Sequence, residues 1–129
     1  MRLFDWIKDH GAELPLVKSP RAYCSRRAII GKGSILMHDS LINANAEIGV
    51  NCIVNSQALI EHDVEVGDHC HISTGARVNG GVRVGTGCFI GSGAVLKEGI
   101  EIGNGTIIGA GEVVLRDVEP GKTVKSLRD

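Results

Sequence analysis

The chain has 129 residues, a formal net charge of −1, 18 glycines and only 3% aromatic residues. This length predicts at most one domain, and the near-zero charge argues against a nucleic acid or an anionic membrane as partner. The sequence holds no apolar run long enough for a membrane span or a signal peptide. Without an export signal, the four cysteines are expected to stay reduced, which predicts a cytoplasmic protein.

The first 23 residues differ from the rest of the chain. The segment RLFDWIKDH predicts a short helix with Leu3, Phe4 and Ile7 on one side and Gly11 just after its end. The segment ELPLV that follows predicts an extended lead-in. We therefore expect residues 1–23 to form a helix and a connection that precede the main fold.

The next part of the chain is a repeat of six residues. An aliphatic residue recurs at every sixth position from Ile30 to Val114, and a mostly small residue follows four positions after each one. A period of six fits neither an α-helix nor an isolated amphipathic strand, but it is typical of a parallel β-helix, in which each hexad is one short strand plus a corner. Sixteen hexads fill residues 24–119, and residues 120–129 are predicted to be a polar tail because Pro120 and Gly121 interrupt the pattern.

Three hexads make an 18-residue triangular coil, so residues 18 apart stack in one column with a spacing of about 4.8 Å. Cys52, Cys70 and Cys88 share such a column, which is close enough to suggest a disulfide or a metal site. Ser34 and Thr106 occupy the same column and indicate that it takes small residues throughout. We therefore interpret the cysteines as small packed side chains.

A few corner residues carry chemistry that the packing pattern does not require. His62 and Asp63 occupy one corner, and Gly80 lies one coil above His62. His71 is half a coil from His62, so the two histidines are expected on opposite parts of the prism, whereas Asn55 and His71 can be neighbours. A single site that uses all five residues must therefore lie between two prisms, and a closed trimer builds such a site three times.

Each of these residues also has a plainer interpretation. Asp63 can be a simple turn residue, Gly80 can serve a tight corner, and His62 can be a solvated histidine, as we interpret His10, His38 and His69. The adjacent carboxylate favours the chemical interpretation, because Asp63 can orient the imidazole of His62 as carboxylates do for catalytic histidines.

Residues 55–111 resemble the bacterial sugar acetyltransferases of the sialic acid O-acetyltransferase family, which includes N-acetyltransferases for UDP-linked and GDP-linked 4-amino-4,6-dideoxy sugars. The resemblance extends over about residues 14–119 and depends on Asn55 and on the segments IEHD (Ile60–Asp63), CHIS (Cys70–Ser73) and NGGVRVG (Asn79–Gly85). It implies an all-β, left-handed parallel β-helix, a homotrimer with sites between protomers, acetyl-CoA as co-substrate, no required metal and a sugar acceptor in surface-glycan biosynthesis.

The resemblance also implies a role for each residue. His62 would be the general base and Asp63 would polarise it, while Asn55 and His71 of the adjacent protomer would line the acetyl and acceptor pocket. The backbone N–H of Gly80 would donate to the acetyl carbonyl oxygen, and a groove for pantetheine would be lined by Gly91, Ser92, Gly109 and Ala110. A thioester is already activated, so this reaction needs a base and an oxyanion donor but no nucleophile from the enzyme.

Alternatives to this prediction remain open. Full-length relatives begin with a small Rossmann-like domain, of which residues 1–23 resemble only the last helix and strand, so the acceptor, and N- against O-acetylation, are not fixed. A γ-carbonic-anhydrase-like zinc enzyme is suggested by His62, His69 and His71, but that family pairs ligands five residues apart and no such pair occurs. A non-catalytic scaffold is the other alternative.

Overall fold

Residues 1–126 are described by a computed structural model, and they form a parallel β-helix preceded by one short helix. The helix α1 spans Arg2–Asp9, and every strand has two residues. The strands are β1 Val17–Lys18, β2 Tyr23–Cys24, β3 Ile29–Ile30, β4 Ile35–Leu36, β5 Leu41–Ile42, β6 Glu47–Ile48, β7 Ile53–Val54, β8 Leu59–Ile60, β9 Glu65–Val66, β10 His71–Ile72, β11 Arg77–Val78, β12 Arg83–Val84, β13 Phe89–Ile90, β14 Val95–Leu96, β15 Glu101–Ile102, β16 Ile107–Ile108, β17 Val113–Val114 and β18 Thr123–Val124.

The strands form three parallel sheets, which are the three faces of a triangular prism. Sheet A has the order β1-β4-β7-β10-β13-β16-β18, sheet B the order β2-β5-β8-β11-β14-β17, and sheet C the order β3-β6-β9-β12-β15. Paired residues are 18 apart along most of the prism, as in the pairing of His71 with Phe89. The predicted parallel β-helix of hexapeptide repeats is therefore confirmed.

The core consists of the two columns that the repeat predicts. The aliphatic residues at the sixth positions point inward, and Ile42, Ile60 and Ile90 are fully buried. Each such side chain contributes about 1.5–3 kcal/mol through removal from water. The small-residue column packs beside them, and the buried cysteines are free thiols. The thiol of Cys70, for example, donates to the carbonyl oxygen of Gly85 at 3.0 Å, so the interpretation of this column as packed small side chains agrees with the structure.

The corners join the faces through a residue with positive φ. Asp63 at 60° and His69 at 58° occupy this position in successive corners, and later corners use glycine, beginning with Gly75 at 68°. Aspartate and histidine are among the side chains that enter the left-handed region most readily. Asp63 therefore serves as a turn residue, which was its plainer interpretation, and its carboxylate remains available for contact with its neighbour.

The β-helix extends further at both ends than the predicted limits of 24 and 119. Strand β1 pairs with β4 in register, so sheet A begins before residue 24. After β17 the coil shortens: Ile107 pairs with Thr123, 16 residues later instead of 18. Pro120 therefore lies within a shorter final coil, and β18 belongs to the sheet instead of the predicted tail. The last part of that tail, residues 127–129, lies outside the described residues.

Helix α1 packs against the start of the prism. Phe4 is its buried residue, and its ring meets that of His69 edge-on with centroids 5.3 Å apart. The short N-terminal helix of the prediction is confirmed. Within residues 1–126, no helix has the length and apolar character that a bilayer crossing requires.

Candidate active site

Three edges separate the faces of the prism, and they locate the candidate residues. The A–B edge consists of the corners after the strands of sheet A, such as residues 55–57 and 91–93. The B–C edge consists of the corners after sheet B, such as residues 61–63 and 79–81, and the C–A edge consists of the corners after sheet C, such as residues 67–69. In a triangle each edge lies opposite one face, and the B–C edge lies opposite sheet A.

The B–C edge brings His62, Asp63 and Gly80 together. The Nδ1 atom of His62 lies 3.0 Å from Oδ2 of Asp63, and both side chains are about three-fifths exposed, at 62% and 59%. A methyl group at Gly80 would lie 2.8 Å from Nε2 of His62, so this nitrogen stands directly over the Gly80 backbone. When Nδ1–H donates to the carboxylate, Nε2 presents its lone pair, which is the arrangement that a general base requires.

The backbone N–H of Gly80 has no hydrogen-bond partner among residues 1–126. At comparable corners this N–H is capped by the preceding asparagine: the N–H of Ala44 donates to Oδ1 of Asn43 at 2.8 Å. Asn79 precedes Gly80, but its Nδ2 donates instead to the carbonyl oxygen of Leu96 at 2.9 Å. The side chain of Asn79 is thus turned away from the cap, and the Gly80 N–H remains available to an oxyanion.

A cleft of about 440 Å³ opens beside this group. It is lined by polar and charged corner residues and by aliphatic residues on or just after the strands of sheet B, namely Glu61, His62, Asn79, Gly80, Val95, Lys97, Glu98, Val113 and Leu115. The open side of the imidazole therefore borders a space that can hold a small polar ligand.

Asn55 and His71 form a second group, at the A–B edge and on sheet A. Nδ2 of Asn55 lies 3.2 Å from Nε2 of His71, and Oδ1 of Asn55 accepts from the backbone N–H of Ser56 at 2.8 Å. The Ser56 N–H can only donate, so it fixes the orientation of the amide and makes Nδ2 the donor to His71. The proton of the neutral His71 imidazole is consequently on Nδ1.

His71 is half-buried on the outer side of sheet A. Its ring meets the ring of Phe89 edge-on at a centroid distance of 5.1 Å, and burial lowers the pKa of His71 because the charged imidazolium loses solvation. His71 is therefore held neutral, and it is better suited to hold a ligand through its Nδ1–H than to act as a cation.

The predicted pantetheine residues all lie on the A–B edge, above Asn55. Gly91 and Gly109 donate their N–H groups to carbonyl oxygens of the next coil, both at 2.7 Å. The N–H groups of Ser92 and Ala110 have no partner within residues 1–126. A methyl group at Gly91 would lie 2.6 Å from the nitrogen of Ala110. Gly91 and Gly109 are thus small because the next coil lies against them. The N–H groups of Ser92 and Ala110 are free to donate to a ligand.

The two groups do not meet within one chain. His62 is at the B–C edge, and His71 projects from sheet A, the face opposite that edge. His69, the third histidine of the metal alternative, is on the C–A edge, where its Nδ1 lies 2.9 Å from Nδ2 of Asn51. No cluster of three potential metal ligands occurs in residues 1–126.

Two features of this site were absent from the sequence prediction. Asn79 leaves the Gly80 N–H uncapped, and Phe89 packs on His71. The sequence shows that Asn79 holds the same corner position as Asn43 and Asn55, but those two cap the next N–H group, so the sequence carries no signal for the different orientation of Asn79. The signal for Phe89 was its position one coil above His71.

The fold and the site define a parallel β-helix of hexapeptide repeats with a histidine–carboxylate pair on one edge. The family described as bacterial transferase hexapeptide (six repeats) matches residues 81–116, whereas no curated protein matches the chain. Solved structures similar to the chain include acetyltransferases, one of them a GDP-perosamine N-acetyltransferase.

Three of these structures resemble the chain over nearly all of its length. The acetyltransferase domain of PglB from Neisseria gonorrhoeae FA1090 is 34% identical with a TM-score of 0.94, covering 95% of this chain and 60% of that one. A mutant GDP-perosamine N-acetyltransferase from Caulobacter crescentus, in complex with CoA and GDP-perosamine, is 36% identical with a TM-score of 0.93, covering 95% and 58%. WeeI from Acinetobacter baumannii AYE is 30% identical with a TM-score of 0.93, covering 97% and 61%. The chain thus spans about three-fifths of the length of these proteins.

Proposed function

We propose that this protein transfers the acetyl group of acetyl-CoA to an amine or hydroxyl group of a sugar, with His62 as the general base. The observation that carries the proposal is the juxtaposition at the B–C edge, where Nε2 of His62 stands over Gly80 and the Gly80 N–H is uncapped. Similar solved structures hold acetyl-CoA or CoA with GDP-perosamine. A nucleotide-linked 4-amino sugar is therefore the acceptor that we favour, with sialic acid as the second choice.

The residues of the B–C edge account for each proton and charge of the reaction. The acceptor nitrogen or oxygen attacks the thioester carbonyl carbon while Nε2 of His62 removes its proton, and Asp63 stabilises the imidazolium through Nδ1. The carbonyl oxygen becomes an oxyanion that accepts from the Gly80 N–H, a contact worth about 3 kcal/mol in comparable sites. The C–S bond then breaks, and the proton on His62 passes to the departing CoA thiolate.

Asn55, His71 and the groove residues act from a second protomer in this proposal. The Nδ1–H of His71, fixed by the amide of Asn55, would donate to the bound acetyl or acceptor group. The free N–H groups of Ser92 and Ala110 would bind the amide oxygens of pantetheine, which would lie along the edge beside Gly91 and Gly109, where the absence of side chains lets the coils stack closely.

A homotrimer with parallel prisms assembles these two half-sites. For the B–C edge of one prism to meet the A–B edge of the next around a threefold axis, sheet B must face that axis. The outer side of sheet B suits burial because it is largely apolar, as is the outer side of sheet A. Sheet B presents Tyr23, Leu41, Leu59, Arg77, Val95 and Val113, whereas sheet C presents mostly charged residues, including Glu47, Glu65, Arg83 and Glu101.

The test is turnover of acetyl-CoA against a panel of acceptors, with release of free thiol as the readout. The panel contains UDP-linked and GDP-linked 4-amino sugars, the free amino sugars and sialic acid, and the mass of the assembly in solution is measured in parallel. We expect transfer to at least one amino sugar by a trimer located in the cytoplasm. Absence of acetyl-CoA binding in calorimetry would instead favour a non-catalytic scaffold, and a monomeric active enzyme would contradict the shared site.

A further inference from the structure

Arg26, Arg27 and Arg116, all on the B–C edge, differ from the other arginines of the coils. Arg21 pairs with Asp39, Arg77 donates to the carbonyl oxygen of Gln57 at 2.7 Å, and Arg83 contacts two glutamates of its own sheet. The guanidinium groups of Arg26 and Arg27, in contrast, are exposed and make no ion pair or hydrogen bond within residues 1–126. These two cations are available to an external anion.

The arginines are presented by a defined corner. The hydroxyl oxygen of Ser25 accepts from the backbone N–H of Arg27 at 3.2 Å, which closes a turn directly after strand β2. Arg26 precedes His62 by 36 residues, which is two coils, so the two lie in one column about 10 Å apart. Ala44 is the residue between them in that column, and its short side chain leaves the intervening space open.

The position of the arginines on the N-terminal side of His62 agrees with the side from which we expect the acceptor to reach this histidine. The proposed cofactor residues, such as Ser92 and Ala110, belong to coils on the C-terminal side of His62, and in a parallel trimer they keep that height. The cleft beside His62 also lies on its C-terminal side, so we assign that cleft to the acetyl end of the cofactor, and the acceptor then approaches from the N-terminal side, where Arg26 and Arg27 lie. The nearby carboxylates already have partners, since Glu61 accepts from Nδ2 of Asn43 at 3.1 Å and Asp63 contacts His62.

We propose that Arg26 and Arg27 bind the diphosphate of a nucleotide-linked amino sugar whose amine is held at His62. This inference rests on the proposed function and names the acceptor class of the same site. In such an acceptor one pyranose ring separates the 4-amino group from the anomeric oxygen, and the diphosphate is attached directly to that oxygen. The length from amine to diphosphate, together with the length of an arginine side chain, is comparable with the distance of two coils between His62 and Arg26. Guanidinium groups suit the task because they form paired, charge-assisted hydrogen bonds with phosphate oxygens.

The test compares the double variant R26S/R27S with the wild-type protein on two acceptors. With a UDP-linked or GDP-linked 4-amino sugar, we expect the KM of the acceptor to rise about 10- to 100-fold, as expected from the loss of charge-assisted hydrogen bonds. With the methyl glycoside of the same amino sugar, kcat/KM should be unchanged, and the KM of acetyl-CoA should also be unchanged. An equal loss on both acceptors, or no loss on the nucleotide sugar, would overturn the subsite while leaving acetyl transfer intact.

Arg116 supplies the matched control. It lies in the same column as His62 but three coils away on the C-terminal side, is exposed, and its guanidinium group makes no ion pair or hydrogen bond within residues 1–126. R116S should leave the KM of the nucleotide sugar unchanged, and a rise equal to that of the double variant would indicate a general charge effect.

A binding measurement separates failure of the subsite from failure of the proposed function. If the wild-type protein acetylates no sugar at all, the proposed function fails, and calorimetric titration with UDP and GDP still tests the arginines. Binding that weakens at least tenfold in R26S/R27S supports the subsite. Binding that is absent in the wild type, or equal in the two proteins, overturns it.

Discussion

The B–C and C–A edges contain the same hexapeptide corner, but individual corners differ in whether their backbone N–H group has a hydrogen-bond partner. Some corner N–H groups are capped at both edges: at the C–A edge Val50 donates to Oδ1 of Asp68 at 2.9 Å and Thr86 to Oδ1 of Asn104 at 2.8 Å, and at the B–C edge Ala44 donates to Oδ1 of Asn43 at 2.8 Å. At the B–C edge the corresponding N–H of Gly80 is left free beside His62. The comparison teaches that the repeat fixes the shape of the corner, whereas single side chains decide whether its N–H group is structural or available for chemistry.

The largest expected effect concerns the side chain that distinguishes the B–C edge. Replacement of His62 by alanine removes the proposed base, so we expect kcat for acetyl transfer to fall by about 10²–10⁴-fold. The assembly and the melting temperature should not change, because the imidazole is largely exposed. The control is His10→Ala, which alters another exposed histidine near the end of helix α1. Near-normal turnover of His62→Ala would remove the base assignment.

A pair of glycine substitutions, one at each edge, separates an effect on the base from an effect on coil stacking. Gly80→Ala places a methyl group 2.8 Å from Nε2 and Cε1 of His62, a side chain that can move. We expect a folded protein with kcat reduced about 100-fold, because displacement of the base by about an ångström has that order of effect. Gly31→Ala at the C–A edge places the methyl group 2.4 Å from the backbone carbon of Gly49, which cannot move in the same way.

Gly31→Ala should therefore lose stability instead of specific activity. Overpacking costs about 1–3 kcal/mol in the free energy of unfolding, which urea titration of the two variants measures. The comparison between the edges fails if Gly31→Ala lowers kcat as strongly as Gly80→Ala, or if Gly80→Ala loses as much stability as Gly31→Ala.

The two edges also show how far the sequence could predict the molecule. The columns of the repeat, the position of Gly80 beside His62 and the neighbouring positions of Asn55 and His71 all follow from a spacing of 18, because stacking is periodic. The rotation of the Asn79 amide does not follow from that spacing. It depends on competition between the Gly80 N–H and the carbonyl oxygen of Leu96 for one side chain.

The ends of the prism were not predictable for a related reason. Strand β18 joins sheet A after a coil of 16 residues. The six-residue pattern ends at Pro120, so it does not indicate this last strand. The pairing of two half-sites between protomers remains a prediction, since it depends on surfaces outside a single chain.

A smaller effect is expected when the free corner is made to resemble the capped ones. In Asn79→Asp the side chain can no longer donate to the carbonyl oxygen of Leu96, and its oxygens can accept from the Gly80 N–H as Asp68 does from Val50. Competition for the oxyanion donor should lower the plateau of the pH–rate profile by about tenfold or more. Asn104→Asp, at a C–A corner where the side-chain oxygen already serves as the cap, is the matched control. A plateau equal to that of the wild type would show that the Gly80 N–H does not act on the reaction.

The smallest expected effect concerns His71, the half-buried histidine that contrasts with exposed His62. Burial lowers the pKa of His71 in the folded protein, so the unfolded chain binds more protons between that lowered pKa and the ordinary value of about 6.5. The contribution of neutral His71 to the free energy of unfolding is therefore fully present above about pH 6.5. It is lost as the pH falls from that value to the lowered pKa. Melting temperatures between about pH 7.5 and 5 should decline more in the wild type than in His71→Gln, whose side chain does not titrate. His10→Gln, at an exposed position just after α1, is the control for loss of a surface histidine, and equal declines in all three proteins would mean that burial of His71 does not contribute to the pH dependence of stability.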